Sequence, residues 1–290
     1  MSFSSSVKSE LCKISGDEPC CHRALLAALT FFAGRAVSKD KFVISTENAA
    51  ISRLVHTLSK KIISENVHSS IKGRGKIHLY TLEVTDAANF LQSWGMSGFS
   101  RKINHDLLRR DCCKRSFIRG AFLGGGYIIA PDKAYHLEII THFKQLRDDF
   151  CQILDFFDIQ PKWTTRNGRY VFYFKGSEKI SDLLAIMGAH NSMMHFLNVK
   201  IVKEMRGDAN RLVNCESANV DKSISASLAQ INAIENIGLR NIPENLQQIA
   251  RLRMGHPHLS LKELGELHDP PMTKSVANHA LQRIVKRSET

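Results

Sequence analysis

Cys20-Cys21-His22-Arg23-Ala24-Leu25-Leu26-Ala27-Ala28 reads against Cys112-Cys113-Lys114-Arg115-Ser116-Phe117-Ile118-Arg119-Gly120, ninety-two residues further along the chain. At the same offset Gly34 falls on Gly126, and Ala36-Val37 falls on Ile128-Ile129. Adjacent cysteines at the same place in two similar helical segments point to an internal repeat. Small residues line each segment: Ala27, Ala28, Ala33 and Gly34 in the first, then Gly120, Ala121, Gly124, Gly125 and Gly126. Such side chains let two helix backbones approach closely. The glycine run is poor helix material, so it is expected to end the helix or to pass against another backbone. No Gly-Lys-Ser/Thr phosphate-loop signature follows it.

The flanking sequence agrees with a duplication. Phe42–Thr46 and Tyr135–Thr141 are β-branched and aromatic, and read as strands. Each precedes an amphipathic helix. Ala50, Leu54, Leu58 and Ile62 mark the first; Phe143, Leu146, Phe150, Leu154 and Phe157 mark the second. Further strands follow at Ile77–Val84 in one half, and at Trp163–Thr165 with Tyr170–Phe174 in the other. A short helix closes each half: residues 86–94 before Gly95, and Ser177–Met187 before Gly188, where glycine suits a C-terminal cap. Residues 1–104 and 105–207 are therefore two α/β halves of one α+β domain.

Beyond them the pattern changes. Polar residues thicken through Asn210–Asp221, so 208–221 reads as a linker and 222–290 as a helical domain. Ile224, Leu228, Ile231, Ile234 and Ile237 carry one helix, ended by Gly238. Leu246, Ile249, Ala250, Leu252 and Arg253 carry another, entered through Pro243. Ser260 and Glu263 form a capping-box pair at the start of a short helix that Asp269-Pro270-Pro271 stops. Thr273 or Ser275 caps a last helix, with Val276, Ala280, Leu281, Ile284 and Val285 expected inward. Two short helices joined by a turn make a helix-turn-helix. Its second helix should enter the major groove with Lys274, Ser275, Asn278, His279, Gln282 and Arg283 outward. Asn and Gln pair with adenine and Arg with guanine, while Lys286 and Arg287 suit phosphate.

Composition bounds the partners. Forty Lys+Arg against 28 Asp+Glu leave +12, with a pI of about 9.5. That excess favours a polyanion, nucleic acid before an acidic membrane. The longest apolar run, Ala24–Gly34, is too short to cross a bilayer, and Lys8, Glu10, Lys13, Asp17 and Glu18 before it speak against a signal peptide. No membrane partner is expected. The seven cysteines are odd in number and contain no CxxC, and His256, His258, His268 and His279 match no zinc spacing. Linear spacing thus suggests no metal, no cofactor and a reducing cytoplasm.

Leu26–Gly34 and Ile118–Gly126 resemble degenerate copies of the LAGLIDADG helix of homing endonucleases. The whole chain resembles the WhiA family of bacterial sporulation and cell-division regulators. The most specific matches are the two Cys-Cys helices, Val213–Asn219 and Ser260–Gly265. The resemblance implies a pseudo-duplicated nuclease-like αββαββα domain joined to an all-α C-terminal helix-turn-helix domain akin to the DNA-binding end of a sigma factor. It implies a cytoplasmic, nucleoid-associated transcription regulator of double-stranded DNA, with roles in sporulation, cell division or chromosome segregation. The acidic motif positions that hold a divalent metal in active nucleases fall here on Ala33 and Gly125, and on Phe31 and Leu123, so no enzymatic activity is expected. The saddle-shaped sheet of such enzymes lies along DNA. Here basic turns at Lys72-Gly73-Arg74-Gly75-Lys76 and Arg166-Asn167-Gly168-Arg169 are candidate phosphate contacts. The rival readings are an active homing endonuclease, and an adaptor whose C-terminal module binds a sigma factor or RNA polymerase.

Overall fold

The computed structural model describes residues 2–14, 18–38, 41–63, 67–74, 77–85, 91–92 and 102–289. They fall into two compact units, Met1–Lys203 and Glu204–Thr290.

In the first unit, α1 (Phe3–Leu11) leads into the motif helix α2 (Pro19–Ala33). There follow β1 (Gly34–Ala36), β2 (Lys41–Thr46), α3 (Ala49–Ile63), β3 (Val67–Arg74) and β4 (Ile77–Thr85). The second half repeats this with α4 (Asp111–Gly125), β5 (Gly126–Ile128), β6 (Leu137–Thr141), α5 (Lys144–Asp155), β7 (Lys162–Arg166), β8 (Arg169–Phe174) and α6 (Ser177–Met187). The sheets are antiparallel with the same strand order, β1-β2-β4-β3 and β5-β6-β8-β7. Identical topology on both sides establishes the duplication.

The two motif helices pack on each other at the centre of this unit. A Cβ on Gly120 would stand 2.5 Å from the Leu25 carbonyl oxygen, so backbone meets backbone there. The apolar run of α2, from Ala24 to Phe32, is buried core. Phe32, Phe117, Phe150 and Phe172 link the helices to the second sheet, with ring centroids 5.1 Å apart for Phe32–Phe150 and 5.2 Å for Phe150–Phe172. Arg119 is buried in α4 and donates from Nε to the Met187 carbonyl at 2.9 Å. That bond holds the end of α6, where Gly188 takes the left-handed cap (φ 91°) expected from sequence.

Several expectations shift. The buried stripe of α3 is Ile51, Val55 and Leu58, one residue on from Ala50, which is half-buried along with Leu54. Strand β3 has no counterpart among the strands expected from sequence. Its residues His68–Lys72 are exposed, so no apolar alternation marks it. Strand β6 starts at Leu137, two residues later than expected. Of the closing helix at 86–94, only 91–92 lie among the described residues, and both are helical.

The long helix α7 (His190–Ile237) is the largest departure. Residues 208–221, expected to be a linker, are helical throughout. They contain no proline, and Gly207 is the nearest glycine. Asn, Asp and Ser with low helix propensity are tolerated there because their side chains are exposed. The helix begins on Glu10, whose carboxylate accepts from the Asn191 and Ser192 amides at 2.8 and 2.9 Å.

In the second unit, α7 is followed by α8 (Glu244–Gly255), α9 (Leu261–Glu266) and α10 (Lys274–Ser288). Its core is Ile234, Ile242, Leu246, Ile249, Ala250, Leu264, Ala277, Leu281 and Ile284.

Candidate nucleic-acid interface

The geometry of the second unit follows from local chemistry. The Ser260 hydroxyl accepts from the Glu263 amide at 3.3 Å, and the Glu263 carboxylate accepts from the Ser260 amide at 2.7 Å. This reciprocal pair starts α9 where the sequence places it. The Ser260 amide and hydroxyl beside it hold the Glu263 carboxyl below the usual glutamate range. Gly265 lets the turn fold back: a Cβ there would lie 2.3 Å from the Met272 carbonyl oxygen, and the Met272 amide donates to the Gly265 carbonyl at 2.9 Å. Thr273 then caps α10, accepting from the Val276 amide at 3.4 Å.

Arg253 of α8 holds the loop before α9. It is buried, and Nη1 donates to the Leu259 carbonyl at 2.8 Å, with the Pro257 carbonyl at 3.4 Å and Ser227 Oγ at 3.3 Å. Ser227 Oγ donates in turn to the Pro257 carbonyl at 2.6 Å. Burial pulls the Arg253 guanidinium below its ordinary value. In the sequence Arg253 is one residue of a helical stripe, and nothing there announces this function.

With Ala277, Leu281 and Ile284 buried, α10 turns a continuous face outward. Lys274, Ser275, His279, Gln282, Arg283, Lys286 and Arg287 are exposed or lie at the rim of that face. Asn278 is half-buried at its edge. Val276 is a correction: expected inward, it is 52% exposed, because Ala277 occupies the core position one residue on. Ala280 and Val285 are half-buried. The outward surface thus carries cations, hydroxyl, amide and imidazole groups, and one apolar side chain.

In the first unit, cross-strand register sorts the sheet faces. Lys72 and Arg74 lie on β3, opposite Leu79 and Ile77, rather than only in a turn; Gly75 and Lys76 lie outside the described residues. By strand alternation Lys72 shares the face away from the core with Arg35, Lys41, Glu83 and His68. Lys41 pairs with Glu83 at 2.7 Å and holds that carboxyl below its usual range. On the second sheet, Arg166 and Arg169 oppose each other across the turn, where Asn167 (φ 50°) and Gly168 (φ 71°) take the positive φ expected of them. Lys162 shares their face, and Arg166 lies 3.8 Å from Glu138. Arg147 of α5 stacks on Trp163 at 4.3 Å, fixing the edge strand from the other side. Sequence reasoning misses Arg35, Lys41 and Lys162 because each is a lone cation that only strand pairing brings to the shared face.

The positions that the resemblance matches to the nuclease carboxylates sit at the C-terminal ends of α2 and α4. Phe31 and Leu123 are buried in the core. A Cβ on Gly125 would lie 2.5 Å from the Ile140 carbonyl oxygen. At the opposite ends, Cys20, Cys21, Cys112 and Cys113 converge, with all four Sγ atoms within 4.8 Å of one another. The expectation of no metal module rests on linear spacing alone. The signal lies in the repeat itself once the two helices pack in parallel, Gly120 against Leu25 and Gly124 against Phe32, which brings their first turns together. Burial pushes the Cys113 thiol up to about 12 and the Cys21 thiol up to about 11, while a hydrogen bond from Cys113 pulls Cys20 down.

Comparison with known proteins accords with this architecture. Residues 114–206 match the WhiA LAGLIDADG-like domain, and residues 209–287 match the WhiA C-terminal HTH domain. The chain is 38% identical to the probable cell division protein WhiA of Alkaliphilus metalliredigens, over 98% of this chain and 96% of that protein. It is 38% identical to the Bacillus pumilus protein of the same name, over 100% and 96%. The crystal structure of full-length DUF199/WhiA from Thermatoga maritima superposes with a TM-score of 0.63 at 26% identity, covering 100% of this chain and 98% of that one. The N-terminal LAGLIDADG domain of DUF199/WhiA shares the fold, with a TM-score of 0.53 at 22% identity over 64% of this chain and 92% of that one. Duplicated motif helices, twin four-stranded sheets and a helix-turn-helix, together with these matches over the full chain, show that the protein belongs to the WhiA family.

Proposed function

We propose that this protein is a DNA-binding transcription regulator, acting in cell division, chromosome segregation or sporulation, in which the nuclease-like domain binds but does not cut. The observation that carries the reading is the outward face of α10. It presents Ser275, Val276 and His279 on the N-terminal half, and Gln282 and Arg283 just past the midpoint, of a helix whose other face is locked into the core. That half is the part of a recognition helix that reaches base edges. Gln282 suits adenine, Arg283 suits guanine, and exposed Val276 suits a thymine methyl. Lys274, Lys286 and Arg287 suit phosphate. The named relatives are cell division proteins, which supports placing the regulator there. No helix among the described residues is long and apolar enough to cross a membrane. With duplex DNA as its ligand, the protein works at the nucleoid.

The loss of cleavage rests on Ala33 and Gly125. Magnesium needs hard oxygen ligands, and neither residue offers one. Purified protein with Mg²⁺ or Mn²⁺ is expected to leave supercoiled plasmid intact. Metal-dependent nicking abolished by a carboxylate substitution in this chain would reverse that reading.

Genome-wide crosslinking of the tagged full chain, followed by titration of the enriched site, tests the base-reading role. Arg283→Ala should weaken specific binding by about 1–3 kcal/mol and relax preference at one base pair. Enrichment at promoters that Arg283→Ala leaves intact, with no DNA affinity in the purified protein, would favour docking on a sigma factor or RNA polymerase instead.

A further inference from the structure

Four thiols from two ends of an internal repeat meet at one point. We propose that Cys20, Cys21, Cys112 and Cys113 form a tetrahedral site for a single soft divalent cation, zinc foremost, that joins the two halves of the first unit. Zinc–thiolate bonds of about 2.3 Å give a tetrahedron with sulfur–sulfur edges of about 3.8 Å. All Sγ separations here are within 4.8 Å, and Cys112 Sγ lies 4.0 Å from Cys113 Sγ. Small side-chain rotations therefore close the set around one ion. An iron–sulfur cluster distributes its cysteine ligands over more than one iron, which needs a wider frame. A disulfide needs a sulfur pair at about 2.05 Å, and vicinal residues on a helix are poorly disposed for it.

The surroundings suit a cation held by thiolates. Cys21 and Cys113 are each 3% exposed, Cys20 is half-buried, and Cys112 is exposed, so the site is shielded on one side and reachable on the other. A cavity beside it is lined by Cys20, Cys113, Arg23, Arg109 and Arg110 among others. Four thiolates around a dication carry a net charge of −2. Arg109 is engaged by Asp106 at 2.8 Å, and Arg23 and Arg110 line the same cavity together with Glu18, which leaves a positive balance beside the sulfurs. All four cysteines lie in the first turns of α2 and α4, so the N-terminal ends of the two helices converge on one point. Four protein ligands leave no open position, which marks a structural site rather than a catalytic one. Its effect is to fix the α2–α4 pair at the end opposite Ala33 and Gly125. With both halves carrying a sheet, that fixes the twin sheets to a common axis.

The test uses the full chain, reduced, treated with chelator and titrated with Co²⁺. The expected result is one cobalt per chain, with thiolate-to-cobalt charge transfer in the near ultraviolet and the intense visible bands of tetrahedral coordination, displaced by one equivalent of Zn²⁺. Cys112→Ser, at the exposed ligand, should weaken cobalt binding by more than about tenfold and reduce the charge-transfer band. Cys215→Ser, on an exposed stretch of α7, should change neither. The wild-type spectrum decides the matter even if Cys112→Ser folds poorly. A weak octahedral spectrum, absorption of an iron–sulfur cluster in the purified protein, a disulfide among these four cysteines in the native state, or a stoichiometry and affinity untouched in folded Cys112→Ser would each overturn the proposal.

Discussion

Ala33 and Gly125 show how much a single position decides. The nuclease motif supplies one carboxylate from each helix, and the resemblance matches Ala33 and Gly125 to those two positions once the repeat is aligned. What the sequence does not reveal is that position 125 is closed sterically. Its Cβ would collide with the Ile140 carbonyl, a strand residue fifteen positions away. Installing Asp at both positions should therefore not recover cleavage. Gly125→Asp should unfold at markedly lower denaturant than wild type, since overpacking of this kind costs about 1–3 kcal/mol or more. Ala33→Asp alone should be milder, because Ala33 already carries a Cβ in a half-buried place. Equal denaturation midpoints for wild type and Gly125→Asp would show that the strand can move aside. Gly120 makes the complementary case in the helix pair, where Leu25 backbone stands as close. Its smallness is legible because small residues recur in both copies; the identity of the atom it accommodates is not.

Elements whose signals are local are legible in the sequence, and those defined by distant partners are not. The start of α9 is the clearest instance of the first kind, since Ser260 and Glu263 are three residues apart and satisfy each other. Glu263 is held below its usual range in the folded protein, so the sign of its pH dependence follows. Its contribution is present above the ordinary glutamate range and is lost as pH falls through the lowered folded value. Gln at 263 can still accept from the cap amide but does not titrate. The difference in thermal midpoint between wild type and Glu263→Gln should be greatest near neutral pH and shrink as the pH drops below about 4. A difference constant across that range would remove the carboxylate from the account. Arg253 is the opposite kind of case. Its carbonyl partners at Pro257 and Leu259 are near in sequence, yet nothing in a helical stripe says that an arginine will be buried. Arg253→Met keeps the stem and strands those carbonyls, so the helix-turn-helix should lose roughly 1–3 kcal/mol, read by denaturant unfolding of the full chain. Strand β3 and the continuous helix through 208–221 are illegible for one shared reason. His68–Lys72 of the strand and residues 208–221 of the helix expose their side chains, so neither carries the apolar rhythm by which a sequence announces an element.

At the scale of the whole molecule, the question is whether one surface or two meets DNA. The net charge of +12 is too general to decide it, but the fold locates cations on two separate surfaces. On α10 they flank groups able to read bases. On the twin sheets, Lys72, Arg166 and Arg169 lie on faces turned from the core, accompanied by Arg35 and Lys162 and opposed by Glu83 and Glu138. Arg74 follows Lys72 two residues on along β3. Phosphate is the same at every step, so interactions from the sheets should add affinity without sequence preference. Neutralising Lys72, Arg74, Lys76, Arg166 and Arg169 together should weaken specific and nonspecific binding in parallel. It should also flatten the dependence of log affinity on log salt by about 0.9 for each phosphate that is no longer neutralised. Arg166 should contribute least, since Glu138 at 3.8 Å already offsets its charge. Arg283→Ala should behave differently, losing preference for the specific site while changing the salt slope by no more than about 0.9. Titration of wild type and both variants across a salt series separates the two roles. A slope unchanged in the five-site variant would leave α10 as the DNA-binding surface and assign the twin sheets to something other than phosphate.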